Sequence, residues 1–292
     1  MLKARKPETI DKRLKMFLFG SYKVGKTIAA LNFPRCYVID TERGTEHDEY
    51  AALMEQNGSK VMQSNDVDEV IEEVRTLGVE AHPYRTVLID PITMIEADLI
   101  EKAEKEYGAG DMRIWAKRDR KLKRLVNLLN RLDMNVIVTA HGKIDYGQNM
   151  TKLGTTFDAW KRWPYVFDLI IELERRGSER VALVRGTRLK NFPDGEAFAW
   201  SYAEFVKRYP SIDRDAKQLA LATPEQVNEL NGLLAVVKLP DGTTDKWLVK
   251  ANADCFDDMP SDVIAKCIEP KLCIVSLRMM CLHDLTNSID MR

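Results

Sequence analysis

The residues with the clearest chemistry lie near the start of the chain. Gly20-Ser21-Tyr22-Lys23-Val24-Gly25-Lys26-Thr27 has the spacing G-x-x-x-x-G-K-[ST] in full. Glycines at those positions let the backbone curl, so that successive N–H groups converge on phosphate oxygens, and the positive end of a following helix adds to them. A lysine at the seventh position reaches β- and γ-phosphates, and the hydroxyl after it is a magnesium ligand. All eight residues from Gly20 to Thr27 are therefore expected to bind a nucleotide. A Gly-rich turn with an exposed lysine is the bland alternative. What separates the two is context: apolar residues 15–19 read as a strand running into Gly20, and 27–32 as a helix leaving Thr27.

Hydrolysis of a bound triphosphate needs a second magnesium ligand and a group that orients and deprotonates water. Asp90 closes the apolar run 86–90 and places a carboxylate at the end of a buried strand, where open α/β sheets bind ligands. It is the expected partner of Thr27 on magnesium. Ile39-Asp40-Thr41-Glu42 offers two more acids at a neighbouring strand end. Glu42 is the expected base, since it can project from the loop while Asp40 terminates the strand. His141, just past the strand 135–140, fits either a γ-phosphate sensor or a satisfied structural histidine.

These side chains need elements to hold them, and the hydropathy pattern supplies these. Short apolar runs at 15–19, 36–40, 86–90 and 135–140 alternate with helical patterns near 46–55 and 67–77 and over the long interval before 135. That alternation predicts an α/β fold with a mostly parallel sheet covered on both faces. On the last of those helices Arg113, Lys117, Arg120 and Arg124 recur as a basic stripe opposite Trp115, Leu122, Leu125 and Leu129. Residues 142–163 are polar, aromatic and weakly periodic, and read as a long loop. Apolar runs at 166–174 and 180–185 around Arg176-Gly177-Ser178 read as a hairpin. Thr223-Pro224-Glu225-Gln226 signals a helix start, and a further helix is expected near 261–268. The expected organisation is a polar leader over 1–14, a nucleotide-binding core over 15–210, and a small, mainly helical C-terminal module and tail over 211–292. The stretch 273–292 carries no clear period.

Composition narrows the function classes. With 44 Lys plus Arg against 45 Asp plus Glu, the net charge of −1 gives no global field toward nucleic acid or membrane, so polyanion binding must rest on a local patch. Five cysteines without a C-x-x-C pair argue against a zinc knuckle or a disulfide scaffold. They read as reduced thiols, and with no run of about 18 apolar residues the chain is expected to be cytoplasmic, with no membrane partner.

The P-loop, I-D-T-E at 39–42, the strand ending at Asp90 and Thr139-Ala140-His141, in that order, resemble the RecA superfamily. Within it they are similar to the phage core-only RecA-like single-strand annealing ATPases, the Sak-four family, which are phage nucleotide-binding proteins of AAA type. The resemblance covers roughly residues 16–209. It implies a RecA-like P-loop NTPase with ATP and Mg2+ as cofactors, Glu42 activating water, and His141 in the sensor position. It further implies a homo-oligomer, ring or filament, with ATP at the subunit interface, where Arg188 or Lys190, after Arg185, reaches a neighbour's γ-phosphate. The segment after the sensor strand would line a path for single-stranded DNA through Lys143, Tyr146, Lys152, Trp160, Lys161, Arg162 and Trp163, although both tryptophans could equally anchor the loop. The function implied is ATP-dependent recombination, by annealing or strand exchange, in the host cytoplasm if the chain is phage-encoded. A ring helicase or translocase on the same core, or a nucleotide-gated DNA- or protein-binding module with little turnover, fits the same residues. The C-terminal module is free to meet a single-strand-binding protein.

Overall fold

The computed structural model describes residues 12–146, 151–237 and 239–269, and of Lys152 the backbone alone. In chain order the elements are β1 (Lys15–Gly20), α1 (Lys26–Leu31), β2 (Cys36–Asp40), α2 (Asp48–Gln56), β3 (Lys60–Gln63), α3 (Val67–Val79), β4 (Thr86–Asp90), α4 (Ile92–Tyr107), α5 (Met112–Arg131), β5 (Asn135–Tyr146), β6 (Lys152–Phe157), α6 (Trp163–Val166), β7 (Leu169–Arg176), β8 (Glu179–Thr187), β9 (Ala197–Ala199), α7 (Tyr202–Arg208), α8 (Pro224–Val236) and α9 (Thr243–Ala251). A last helix covers 261–269.

The strands form one sheet in the order β3-β2-β4-β5-β1-β7-β8-β9, with β6 paired to the outer part of β5. From β3 to β7 every neighbouring pair is parallel; β8 and β9 fold back antiparallel. This is an α/β architecture with a mostly parallel sheet, and the strand patterns explain it. Every residue of β1 and β4 is buried, as expected of parallel strands with helices on both faces. Along β1, Met16 and Leu18 join the core beneath α1 and α7. Phe17 points the other way, with its ring centroid 5.1 Å from that of Phe157 and 6.3 Å from that of Trp163. The period of two thus puts one aromatic layer on each side of the same strand.

Several elements escape the sequence reading, β9, α7 and α9 among them. β3 is an edge strand with mostly exposed residues, so it has no apolar run to reveal it. Within the expected loop over 142–163, the described residues up to Tyr146 and from Lys152 to Phe157 form a β-ribbon: β5 continues to Tyr146 and pairs antiparallel with β6, Gly142 opposite Phe157. Alternation there is weak because the ribbon is largely exposed on both faces, Ile144, Tyr146 and Leu153 included. On α5, Leu122, Leu125 and Leu129 are buried as expected, whereas Trp115 is 43% exposed with the Arg118 guanidinium 4.7 Å from its ring centroid.

The chain divides into two compact units, one reaching Lys217 and the other beginning at Gln218. The first therefore extends past the expected boundary at 210. Asn135 donates to the Ile212 carbonyl at 2.7 Å, and Arg85 pairs with Asp213 and Asp215, which ties 212–215 to the sheet. The second unit has its own core, with Val227, Leu230 and Leu233 of α8 against Met259, Ile264 and Ile268. Its α8 opens on a capping box between Thr223 and Gln226. No helix among the described residues is long and apolar enough to cross a membrane.

Candidate nucleotide site

Parallel pairing brings the functional side chains to one edge. Gly20 at the end of β1 is level with His141 on β5, and Asp40 at the end of β2 is level with Asp90 at the end of β4. The carboxyl ends of four strands therefore meet around the loop 20–27, the position where open α/β sheets take ligands. A cleft of about 500 Å³ opens there, lined among others by Lys26, Thr27, Glu42, Asp90, His141 and Gly142.

Lys26 donates to the Gly20 and Ser21 carbonyls at 3.0 and 2.9 Å. Its burial pushes the ammonium below the usual lysine range, with Asp90 and Glu42 pulling it back. Val24 turns inward to the core, while Ser21, Tyr22 and Lys23 are exposed. Asp90 is buried and accepts hydrogen bonds from the Thr139 and Thr27 hydroxyls. Loss of solvent raises its carboxyl, and those hydroxyls and Lys26 oppose the rise. The hydroxyl of Thr27 and the carboxylate of Asp90 are hard oxygen donors of the kind magnesium selects, so the residues fit that ion.

The two acids after β2 have different employment. Asp40 is buried and accepts from the Glu42, Gly44 and Thr45 amides at 3.1, 3.1 and 2.8 Å and from the Thr45 hydroxyl at 2.5 Å. Its oxygens are committed to folding the turn. Glu42 stays in the cleft, its Oε1 3.0 Å from Nε2 of His141. His141 is in turn fixed by its amide, which donates to the Thr93 hydroxyl at 3.0 Å, and by its carbonyl, which accepts from the Asp158 amide at 2.7 Å.

Sequence reasoning missed two contributors. Thr139 is two residues before His141 and so shares its face of β5; that spacing was the available signal. Gly142 passes so close to the phosphate loop that an added Cβ would meet the Gly20 carbonyl carbon at 2.7 Å. Only tertiary contact reveals that requirement.

Other expected residues lie elsewhere. β8 runs antiparallel to β7, so Thr187 pairs with Leu169 at the edge opposite Gly20. Arg188, next in the chain, donates to the Tyr165 carbonyl at 2.8 Å and pairs with Asp168 at 3.3 Å, while Lys190 is exposed. Arg185 is engaged by the buried carboxylate of Glu172. In the ribbon region Trp160 and Trp163 are buried, which corrects their reading as stacking faces for bases. The physical reason is Glu96: one buried oxygen accepts from the Trp160 amide at 2.9 Å and from the Trp163 indole N–H at 2.7 Å. Lys143, Tyr146, Lys161 and Arg162 are exposed or nearly so, Lys143 pairing with Asp158 at 2.8 Å. The side chain of Lys152 lies outside the described residues.

Sheet order, phosphate loop and the carboxylates beside it define a P-loop nucleoside triphosphatase. Residues 12–195 match the AAA domain family, and the chain belongs to it. Two solved structures are similar. The RadB recombinase is 18% identical, with 63% of this chain and 84% of that one covered and a TM-score of 0.42. The assembled ATPase EscN of the enteropathogenic E. coli type III secretion system is 13% identical, with 90% and 67% covered and a TM-score of 0.35. No curated protein matches the sequence.

Proposed function

We propose that this chain is a magnesium-dependent ATPase that binds single-stranded DNA and promotes annealing or strand exchange, in the manner of the phage core-only RecA-like proteins. The observation that carries the reading is the continuity of β5. The strand that bears His141 in the cleft runs on to Tyr146 in the ribbon, with a bulge between Asp145 and Tyr146, so the nucleotide site and part of the proposed DNA surface share one element.

In this reading the loop 20–27 binds the phosphates and Lys26 compensates the charge that develops on them. Thr27 and Asp90 would hold magnesium, which would neutralise charge developing on the phosphates. Glu42 takes a proton from the attacking water, and His141 holds Glu42 in place and senses the γ-phosphate. Such catalysis is mostly positioning and charge neutralisation, since phosphoryl transfer asks little covalent chemistry of the protein. Lys143, Lys161 and Arg162 meet the DNA backbone and Tyr146 a base, stacking being worth about 1–3 kcal/mol per base. Assembly into a ring or filament brings Arg188 or Lys190 to a neighbour's ATP, and the C-terminal module is the part available to a single-strand-binding protein.

The test is ATP hydrolysis with and without single-stranded DNA, alongside annealing of complementary labelled oligonucleotides in ATP and in ADP. The reading expects DNA to raise turnover and ATP to favour annealing. Sustained unwinding of duplex would point to a helicase, and DNA binding gated by ATP with negligible turnover to a binding module.

A further inference from the structure

The phosphate loop has two flanks. β5 lies beside β1 on one, and Asp90, Glu42 and His141 all belong to that side; β7 lies beside β1 on the other. At the turn from β7 to β8, on that second flank, Arg180 packs against the loop. A Cβ built on Gly25 would lie 3.3 Å from Nε of Arg180 and 4.0 Å from its Cδ. The Arg180 backbone is held on both sides, paired with Arg175 across the hairpin and accepting from the Trp200 amide at 2.7 Å. Its guanidinium, by contrast, has one long, exposed bond to the Ser178 carbonyl, at 3.4 Å, and makes no ion pair among the described residues. A cation fixed beside Lys26 with no carboxylate of its own is placed for a ligand. Ile28, three residues past Gly25 and so on the same face of α1, is 40% exposed and adds an apolar surface there.

With the γ-phosphate drawn toward Glu42 and Asp90, the other end of the nucleotide must leave the loop on the opposite flank. We propose that Arg180 is a nucleotide-binding residue acting within its own subunit, its guanidinium covering the face of the base, with Ile28 beside the same base. A planar guanidinium stacks on aromatic rings and needs no particular base edge. The inference rests on the reading of the cleft as an ATP site and adds the grip on the nucleoside.

The experiment measures affinity of the full chain for ATP, ADP and inorganic tripolyphosphate by calorimetry, in wild type, Arg180→Ala, Arg180→Gln and Lys26→Ala, with thermal unfolding of each. Arg180→Gln keeps the stem against Gly25 and drops the charge, so it guards against misfolding of the alanine variant. The expected result is a loss of about tenfold for ATP and ADP in both Arg180 variants, with tripolyphosphate binding unchanged. Equal loss for tripolyphosphate would mean that Arg180 serves the phosphates, and unchanged ADP binding in Arg180→Gln would mean that it serves only the hairpin; either overturns the inference. Lys26→Ala should weaken all three ligands. If the wild type binds none of them, the ATP-site reading itself fails, which separates the two failures.

Discussion

Nε2 of His141 lies 3.0 Å from Oε1 of Glu42, and this contact ties the end of β2 to the edge of β5 across β4, which lies between them and carries Asp90. The acid proposed to activate water is thereby held by the residue proposed to sense the γ-phosphate. Loss of either changes the placement of the other.

Glu42→Gln should retain ATP and magnesium binding while hydrolysis slows by roughly 10²- to 10⁴-fold. His141→Ala should slow it less. Because the two side chains share one contact, the double variant should lose less than the product of the single losses. Steady-state turnover of the three variants checks this; strictly multiplicative losses would mean that the pair does not act together.

Lys26→Ala should abolish hydrolysis and leave thermal unfolding almost unchanged. Lys26 hydrogen-bonds two carbonyls of its own loop and otherwise acts on Asp90 and Glu42 only through its charge, so little of the packing depends on it. A variant that keeps most of its turnover would remove the phosphate loop from the mechanism.

Arg188 and Lys190 follow β8 at the sheet edge opposite the phosphate loop, and their proposed target is an adjacent subunit. Cations supplied in trans are worth about 10³- to 10⁵-fold in rate in related NTPases. Specific activity should therefore rise with protein concentration. Arg188→Ala mixed with Lys26→Ala should regain activity, since a mixed interface can pair an intact loop with an intact cation. A mixture that co-assembles without regaining any activity rules out the trans role.

Trp163→Ala should cost about 3–5 kcal/mol of stability, as large aromatic truncations in a core do, and it takes one of the two donors from the buried Glu96 carboxylate. Tyr146→Ala with Lys143→Ala should leave the melting temperature nearly unchanged and weaken binding to labelled single-stranded DNA. Chemical denaturation and fluorescence anisotropy report the two effects separately. DNA affinity that survives the ribbon variant would move the interface elsewhere.

Lys15 opens β1, is buried, and donates to the Leu129, Leu132 and Met134 carbonyls at 2.7, 2.9 and 3.1 Å. Those carbonyls favour the ammonium, but burial opposes it and pushes the group down to about 7. Between that value and the ordinary one of 10.5, the unfolded chain holds a proton that the folded chain lacks, so stability rises with pH across that window. The slope for one proton is about 1.4 kcal/mol per pH unit. Denaturant titrations from pH 7 to 9.5 should show that rise in the wild type and a flatter profile in Lys15→Met.

How much of this was legible in the sequence depends on how local each feature is. The phosphate loop could be read because its eight residues are contiguous and their spacing is itself the geometry. Asp90 and the strand ends could be read because fully buried parallel strands are unbroken apolar runs that stop at the ligand edge. Glu42 was separable from Asp40 in principle, yet only the folded turn shows that four donors consume Asp40. Composition could not tell a stacking tryptophan from a buried one, because the decision lies with Glu96, more than sixty residues away from both. The ribbon and β3 carry no such signal, since strands exposed on both faces lack an apolar run. The reversal of β8 was legible as the hairpin around Arg176-Gly177-Ser178, but the pairing of β7 with β1, which sets Arg180 against the phosphate loop and Arg188 at the far edge, was not. Pairing is settled by contacts between distant segments, and residue order along the chain does not contain them in any local pattern.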